Sequence, residues 1–181
     1  MNNFYSAISD DEKAKLRQGL VSNFREPVSP LATQLAVVIA KVARMDCPKD
    51  WPDLVPTLLT AVRDPDLLVQ HRALLTLHHV VKTLSSKRLA GDRRLFQELT
   101  GNVYSFALTL WNTHTELFLQ QFSENPTGAV PSLEKALLAL RILRKLTLHG
   151  FQKPHESEDV VIFINMVFDR AKMMLECSKS N

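Results

Sequence analysis

Residues 30–59, PLATQLAVVIAKVARMDCPKDWPDLVPTLL, contain two apolar helical patterns separated by a short break, and this arrangement constrains the fold more than any other feature. The first pattern ends before Pro48, and Trp51 and Pro52 open the second. Two helices joined by a short turn form a hairpin, which can bury its apolar faces only against similar neighbours. The segment therefore predicts a stack of helical hairpins.

Helical patterns continue along the whole chain, without the alternation that is typical of strands. We expect seven helices, at residues 10–24, 31–44, from 51 onward, 66–85, 92–122, 132–149 and 157–177. The first, third and fifth begin about 41 residues apart, within the period of HEAT repeats. The predicted class is all-α: a right-handed α-solenoid of about three and a half HEAT repeats, built from seven antiparallel helices.

Local signals mark the ends of several helices. Ser9 and Glu12 have the spacing of a capping box, and Trp51 is expected to pack back onto the helix that it precedes. Pro56 is expected to bend that third helix, and Gly150 to end the sixth. A loop between the fifth and sixth helices is expected to hold Asn125, Pro126 and Gly128.

Apolar spacing predicts which faces of two helices are buried. On the second helix these residues are Leu31, Leu35, Val38, Ile39 and Val42. On the fourth helix they are Ala73, Leu77, Val80, Val81 and Leu84. The last helix keeps apolar residues that nothing later in the sequence could cover, namely Ile162, Val167 and Met174.

The sequence contains no motif of a catalytic or metal centre. A Gly-rich phosphate loop, GxSxG, HExxH and paired cysteines are all absent. His71, His78 and His79 share one helix, but a metal site needs further carboxylate or cysteine ligands nearby, so polar or capping roles are favoured. Acidic pairs such as Asp10 and Asp11 lie at helix starts, where they complement the helix dipole. We therefore predict no enzyme, no cofactor and no metal.

Charge and hydropathy disfavour two kinds of partner. The formal net charge of +3 results from 22 basic against 19 acidic residues, which is too balanced for a dedicated nucleic-acid binder. The longest apolar run, residues 35–40, is too short to cross a membrane.

Cys47 and Cys177 lie far apart in sequence and suit free thiols in a reducing compartment.

Polar and basic residues form stripes on the second, fourth and sixth helices, opposite their apolar faces. In a stack of hairpins the second helix of each pair lines the concave surface, so these stripes would form one partly basic inner wall. Periodicity alone favours an ordinary solvated face. The candidate partner-binding residues are Gln34, Lys41, Arg44, Arg72, His79, Lys82, Lys87, Arg88, Arg141 and Lys145.

Several runs of sequence resemble the importin-beta (karyopherin) family of nuclear transport receptors. The first set lies at residues 34–36, 39–40, 42–43, 46–48 and 51–56. A second set is similar to the importin-eleven branch, and lies at residues 70–76, 82–84, 86–90, 105–107, 110–112, 143–147 and 175–178. Together the runs extend over residues 8–178, so the resemblance covers nearly the whole chain.

The resemblance implies a function in nuclear import, in cytoplasm and nucleus. The implied partners are protein cargo, nucleoporins and the GTP-bound form of the small GTPase Ran, which contacts the inner surface of the N-terminal arch in this family. It also implies that residues 1–8 are the remnant of a preceding segment, that residues 9–178 are part of that arch and that residues 179–181 are a tail. Ends without polar caps indicate a fragment of a longer solenoid.

Two other classes of function stay open at this point. A HEAT-repeat scaffold outside nuclear transport, such as a phosphatase or chromatin-complex subunit, would share the helix pattern but has no reason to carry the Trp51-Pro52 segment. A nucleic-acid binder would need a more basic inner wall and a steep dependence on salt. Both rank below the transport receptor.

Overall fold

The computed structural model describes residues 8–179, and the all-α prediction is confirmed because this part of the chain contains seven α-helices and no strand. The helices are α1 (Asp10–Val21), α2 (Ser29–Asp46), α3 (Leu54–Ala61), α4 (Leu67–Leu84), α5 (Ala90–Phe122), α6 (Pro126–His149) and α7 (Glu158–Lys179), with a 3-10 turn at Pro154–Glu156 before α7. The chain divides into two compact units, one ending at Val80 and the other beginning at Val81, within α4. Helices α1, α3 and α5 begin 44 and 36 residues apart, at Asp10, Leu54 and Ala90, instead of at the even interval of about 41 that the sequence predicted.

In the first unit, α1 begins with the predicted capping box. The Ser9 hydroxyl accepts from the backbone N–H of Glu12, and the Glu12 carboxylate accepts from the backbone N–H of Ser9. These hydrogen bonds hold the pKa of the Glu12 carboxyl below its usual range. The box satisfies two backbone donors that a helix start otherwise leaves unpaired.

The predicted buried face of α2 is largely wrong. Only Ile39 of the predicted set is buried, whereas Leu31 and Val38 are exposed. The residues that α2 does bury are mostly alanines, together with that isoleucine: Ala32, Ala36, Ile39, Ala40 and Ala43. Small side chains allow neighbouring helices to approach closely, so the alanine face packs inward and the larger apolar residues remain outside.

The third helix begins later than predicted. Trp51 and Pro52 precede α3, and the first helical hydrogen bond runs from the Thr57 N–H to the Asp53 carbonyl at 2.9 Å. Pro56 therefore lies in the first turn, where the missing N–H has no helical partner to lose, so the proline does not require a bend. Trp51 itself is buried, as predicted, although it belongs to the segment that connects α2 and α3.

The predicted buried face of α4 is confirmed in full. Each of its five residues is less than a tenth exposed, namely Ala73, Leu77, Val80, Val81 and Leu84. Helical spacing succeeded here because the predicted residues form one continuous stripe, whereas the leucines off that stripe, Leu67, Leu68 and Leu75, are exposed or half-buried.

In the second unit, α5 and α6 form an antiparallel hairpin. The Tyr104 hydroxyl, near the middle of the 33-residue α5, lies 3.3 Å from the Thr147 hydroxyl near the end of α6. The Tyr104 ring also meets the edge of Phe151, with ring centroids 5.1 Å apart. Pairing of an earlier part of one helix with the end of the next is what a short connection between antiparallel helices requires.

The loop expected around Pro126 is instead the first turn of α6. The Asn125 side chain accepts from the Gly128 N–H at 2.9 Å and caps the helix. Pro126 then occupies the first helical position, where its fixed φ favours the helix and its missing N–H costs nothing. The proline that predicts a break in sequence therefore begins the helix.

Helix α7 packs against α5 through both apolar and polar contacts. The Phe163 and Trp111 rings meet edge to face at 5.6 Å, and the Arg170 guanidinium donates to the Asn112 side chain at 2.8 Å and to Glu116. Of the apolar residues expected to remain uncovered on α7, Ile162 is exposed, while Val167 and Met174 are half-buried. Within residues 8–179, no helix is both long and apolar enough to traverse a bilayer.

Candidate partner-binding surface

Helix α2 presents three of the predicted partner-binding residues to solvent. Gln34, Lys41 and Arg44 are all exposed, on the side of the helix away from its alanines. Leu31 and Val38 lie beside them in helical spacing, so this surface is both basic and apolar. It can therefore meet a partner that carries acidic groups next to apolar side chains.

Arg72 does not belong to an exposed wall, and its prediction as a partner-binding residue is wrong. Its side chain is only 7% exposed, and its guanidinium donates to the backbone carbonyls of Glu26 at 2.9 Å and Pro27 at 3.0 Å. A third hydrogen bond reaches the Ser29 hydroxyl at 3.2 Å. Arg72 thus fixes the connection between α1 and α2 to α4, and it cannot reach a partner.

The other predicted residues on α4 differ in exposure. His79 is half-buried, and its ring centroid lies 5.2 Å from that of His78, whereas Lys82 is exposed.

Among residues 8–179, no group of three or more His, Cys, Asp and Glu side chains is placed to hold a metal ion.

The second unit contains a cleft of about 220 Å³ bounded by the end of α4, the start of α5 and the end of α6. We call it the basic cleft. Basic and apolar side chains line it together with one hydroxyl: Lys87, Arg88, Arg93, His149, Leu84, Phe96, Leu148, Phe151 and Ser85. It brings together two predicted residues, Lys87 and Arg88, with two that sequence reasoning missed, Arg93 and His149.

The basic cleft has more positive than negative charge at its rim. Lys87 is paired with the Asp92 carboxylate at 2.9 Å, and both side chains are about four-fifths buried. Arg88 and Arg93 are exposed, and within the described chain neither forms an ion pair. Two arginines therefore remain available to an anion that enters the cleft.

The positive charges at the rim of the cleft affect the pKa of His149. Burial first, and then the positive charges of Lys145, Arg88 and Arg93, hold the pKa of the His149 imidazole below its ordinary value. Lys145, another predicted residue, is thus close enough to add to the same field. Arg141, two helical turns earlier on α6, is exposed and lies outside the lining of the cleft.

This field gives a measurable prediction for His149. In the intact chain its imidazole is expected to titrate below its ordinary value of about 6.5 and to be mainly neutral at pH 7. Removing two cations by Arg88→Ala and Arg93→Ala is expected to raise the pKa, although burial keeps it from returning fully. The measurement is an NMR titration of the His149 ring proton. Arg141→Ala, which removes an equal charge outside the cleft, is expected to change it little, and an equal shift in both variants would contradict the assignment.

Sequence reasoning missed Arg93 and His149 because they lie on opposite helices of one hairpin, 56 positions apart in the chain. The predicted stripes lie on the second, fourth and sixth helices, which leaves out Arg93 on α5, and the stripe on the sixth helix ends at Lys145, one turn before His149. A signal did exist. Once α5 and α6 are taken as antiparallel, the first half of α5 lies towards the end of α6, which places Arg93 at the same end of the hairpin as His149.

Comparison with known proteins gives three informative relatives. Importin-11 from Homo sapiens is 54% identical over 175 residues, which is 96% of this chain and 18% of that protein. Importin-11 from Mus musculus has the same identity and coverage. Importin beta-like protein KAP120 from Saccharomyces cerevisiae is 27% identical over 181 residues, or 94% of this chain and 17% of that protein.

The resemblance to the importin-beta family, and to its importin-eleven branch, is thereby confirmed. The chain spans only 18% of the length of the Importin-11 proteins that it matches. No protein-family model and no solved structure matches it.

Proposed function

We propose that this chain, similar over almost all its length to Importin-11, is a segment of a nuclear transport receptor that binds protein cargo and GTP-bound Ran. The single observation that carries the proposal is 54% identity over 96% of the chain to a protein named as an importin. A helical array without a catalytic motif suits this role, because such a receptor holds its partners and leaves GTP hydrolysis to the GTPase.

Exposed cations supply the contacts to the GTPase. Lys41 on α2 and Lys82 on α4 both extend into solvent, and basic groups at an interface favour association with an acidic partner. The other candidates are Gln34, Arg44, His79, Lys87, Arg88, Arg141 and Lys145. Arg72 is excluded by its burial.

Release of cargo follows from competition. If cargo and Ran-GTP each lower the affinity for the other, thermodynamic linkage makes the two effects equal in size. The receptor then loads cargo in the cytoplasm and unloads it in the nucleus, passing nucleoporins between them. Residues 9–178 act in this scheme as part of an N-terminal arch.

The proposal is tested with Ran loaded with a non-hydrolysable GTP analogue or with GDP. The chain, immobilised for biolayer interferometry, is expected to bind the GTP form at least tenfold more tightly. Equal affinity for the two forms, or no binding to either, would contradict the transport role. It would favour the alternative, a HEAT-repeat scaffold outside nuclear transport.

A matched pair of charge reversals locates the contact. Lys41→Glu with Lys82→Glu is expected to weaken binding of the GTP form at least tenfold at low salt. Lys49→Glu with Lys172→Glu changes the net charge equally at two other exposed lysines and is expected to leave binding nearly unchanged. Because all four side chains are exposed, none of these changes should alter the thermal melt appreciably.

A further inference from the structure

The basic cleft of the second unit has a chemistry of its own, apart from the exposed lysines assigned to the GTPase. Its basic side chains come from three directions: Lys87 and Arg88 from the segment before α5, Arg93 from the first turn of α5, and His149 from the last turn of α6. Because they surround one cavity, a single compact anion inside it can contact several of them at once.

The cleft also has an apolar side. Phe96 is 5% exposed and forms part of the wall, and Leu148 and Phe151 lie beside it. A small free ion would not contact these apolar side chains. A side chain that places an anionic group on a short apolar stem, or an anionic residue beside an apolar one, would contact both.

We propose that the basic cleft binds the phosphate group of a phosphorylated serine or threonine in a partner polypeptide. A phosphate monoester carries between about −1.5 and −2 charges at pH 7 and presents three acceptor oxygens. Arg88 and Arg93 supply guanidinium groups whose planar forks match those oxygens, and Lys87 remains paired with Asp92. This inference does not depend on the proposed transport role.

The charge of the chain favours a phosphopeptide over nucleic acid. The cleft, of about 220 Å³, has room for a phosphate group and the side chain that carries it. A nucleic acid would need a row of cations along its backbone, and a nearly balanced chain, with 22 basic and 19 acidic residues, does not favour such a polyanion.

A phosphate also suits His149 better than a carboxylate does. The imidazole is kept mainly neutral by burial and by the surrounding cations. A dianion among those cations reverses the local potential, so that His149 can take up a proton and become a further donor. A single carboxylate, with one negative charge and two oxygens, offsets only part of the field.

The test uses one labelled peptide in three forms, with serine, phosphoserine or glutamate at its centre and neutral flanking residues. In fluorescence anisotropy with the whole chain, the phosphoserine peptide is expected to bind at least tenfold more tightly than the serine and glutamate peptides, a difference of about 1.4 kcal/mol. Equal binding of the serine form would overturn the proposal, and equal binding of the glutamate form would show a general site for acids instead.

Two exposed arginines make a folded variant available. Arg88→Ala with Arg93→Ala is expected to remove at least tenfold of the affinity for the phosphoserine peptide, while Arg141→Ala, the matched control, retains it. Circular dichroism checks that both variants melt like the parent. Equal losses in the two variants would overturn the proposal.

Two further probes separate the sources of phosphate. Inorganic phosphate is expected to shift the NMR resonances of His149 and raise its pKa, and shifts confined to other residues would count against the cleft. A single-stranded oligonucleotide that binds more tightly than the phosphoserine peptide, with a steep dependence on salt, would assign the cleft to nucleic acid and contradict the inference.

Discussion

Trp51→Ala is expected to lower the free energy of unfolding by about 3–5 kcal/mol, because it empties the space of a buried aromatic side chain. Trp51 is only 8% exposed although it lies between α2 and α3. Its backbone is held as well, since its N–H donates to the Asp46 carbonyl at 3.1 Å and its carbonyl accepts from the Cys47 thiol at 3.3 Å. Chemical denaturation followed by circular dichroism measures the loss.

Met45→Ala is the matched control for Trp51→Ala. Met45 is a large apolar residue of the same unit, a few positions earlier, but its side chain is 82% exposed. Its truncation is expected to change the unfolding free energy by less than about 0.5 kcal/mol. If the two variants lose similar stability, the assignment of Trp51 to the core is wrong.

Gly150→Ala is expected to cost about 3 kcal/mol, at the upper end of what overpacking usually costs. A Cβ atom at Gly150 would lie 2.6 Å from both Cβ and Cγ2 of Thr100 on α5, closer than real carbon atoms approach. Thr100 is buried and its hydroxyl donates to the Phe96 carbonyl at 2.8 Å, so it cannot swing away. Helices α5 and α6 would have to separate at this end. A denaturant titration gives the value.

Two further variants identify the cause of that loss. Gly101 follows Thr100 on α5, and a Cβ atom added there would have nothing within 4 Å. Gly101→Ala is therefore expected to stabilise the chain by about 0.5–1 kcal/mol. The double variant Thr100→Gly with Gly150→Ala removes the clash. It is therefore expected to lose less stability than the sum of the losses in the two single variants. Strict additivity of those two changes would contradict the close approach.

Gly150 shows how a correct prediction can rest on another physical reason. Its position at the end of α6 follows from sequence, and its N–H donates to the Leu146 carbonyl at 2.7 Å. The usual reason for glycine there is a positive φ, but its φ is −97°. Glycine is required because Thr100 lies against it, and a contact between two helices leaves no mark in the sequence of either.

The core could be predicted where one helix face was plainly apolar and not where several were. On α4 one stripe contains most of the apolar residues, and all five predicted residues are buried. On α2 apolar residues occur around most of the helix, and counting by hydropathy selected Leu31 and Val38 over the alanines. Close packing selected the alanines, because only small side chains fit where helices approach.

The candidate site was predictable only as far as single helices allow. Lys41 and Lys82 lie at polar positions of their helices and are exposed as expected. Arg72 fits the same spacing on α4, yet it is buried by the connection between α1 and α2, whose path periodicity does not reveal. The basic cleft, in turn, needs both Arg93 and His149, which come together only when α5 and α6 pair.

The transport role is tested most directly by lysine footprinting of the chain with Ran in each nucleotide state. Limited acetylation followed by mass spectrometry reports how accessible each lysine is. Ran loaded with the GTP analogue is expected to protect Lys41 and Lys82, whereas Lys49 and Lys172 keep their reactivity and GDP-loaded Ran protects none of the four. Unchanged reactivity of Lys41 and Lys82 with the GTP form, or equal protection by both forms, would contradict the proposal that these cations form the surface of a transport receptor.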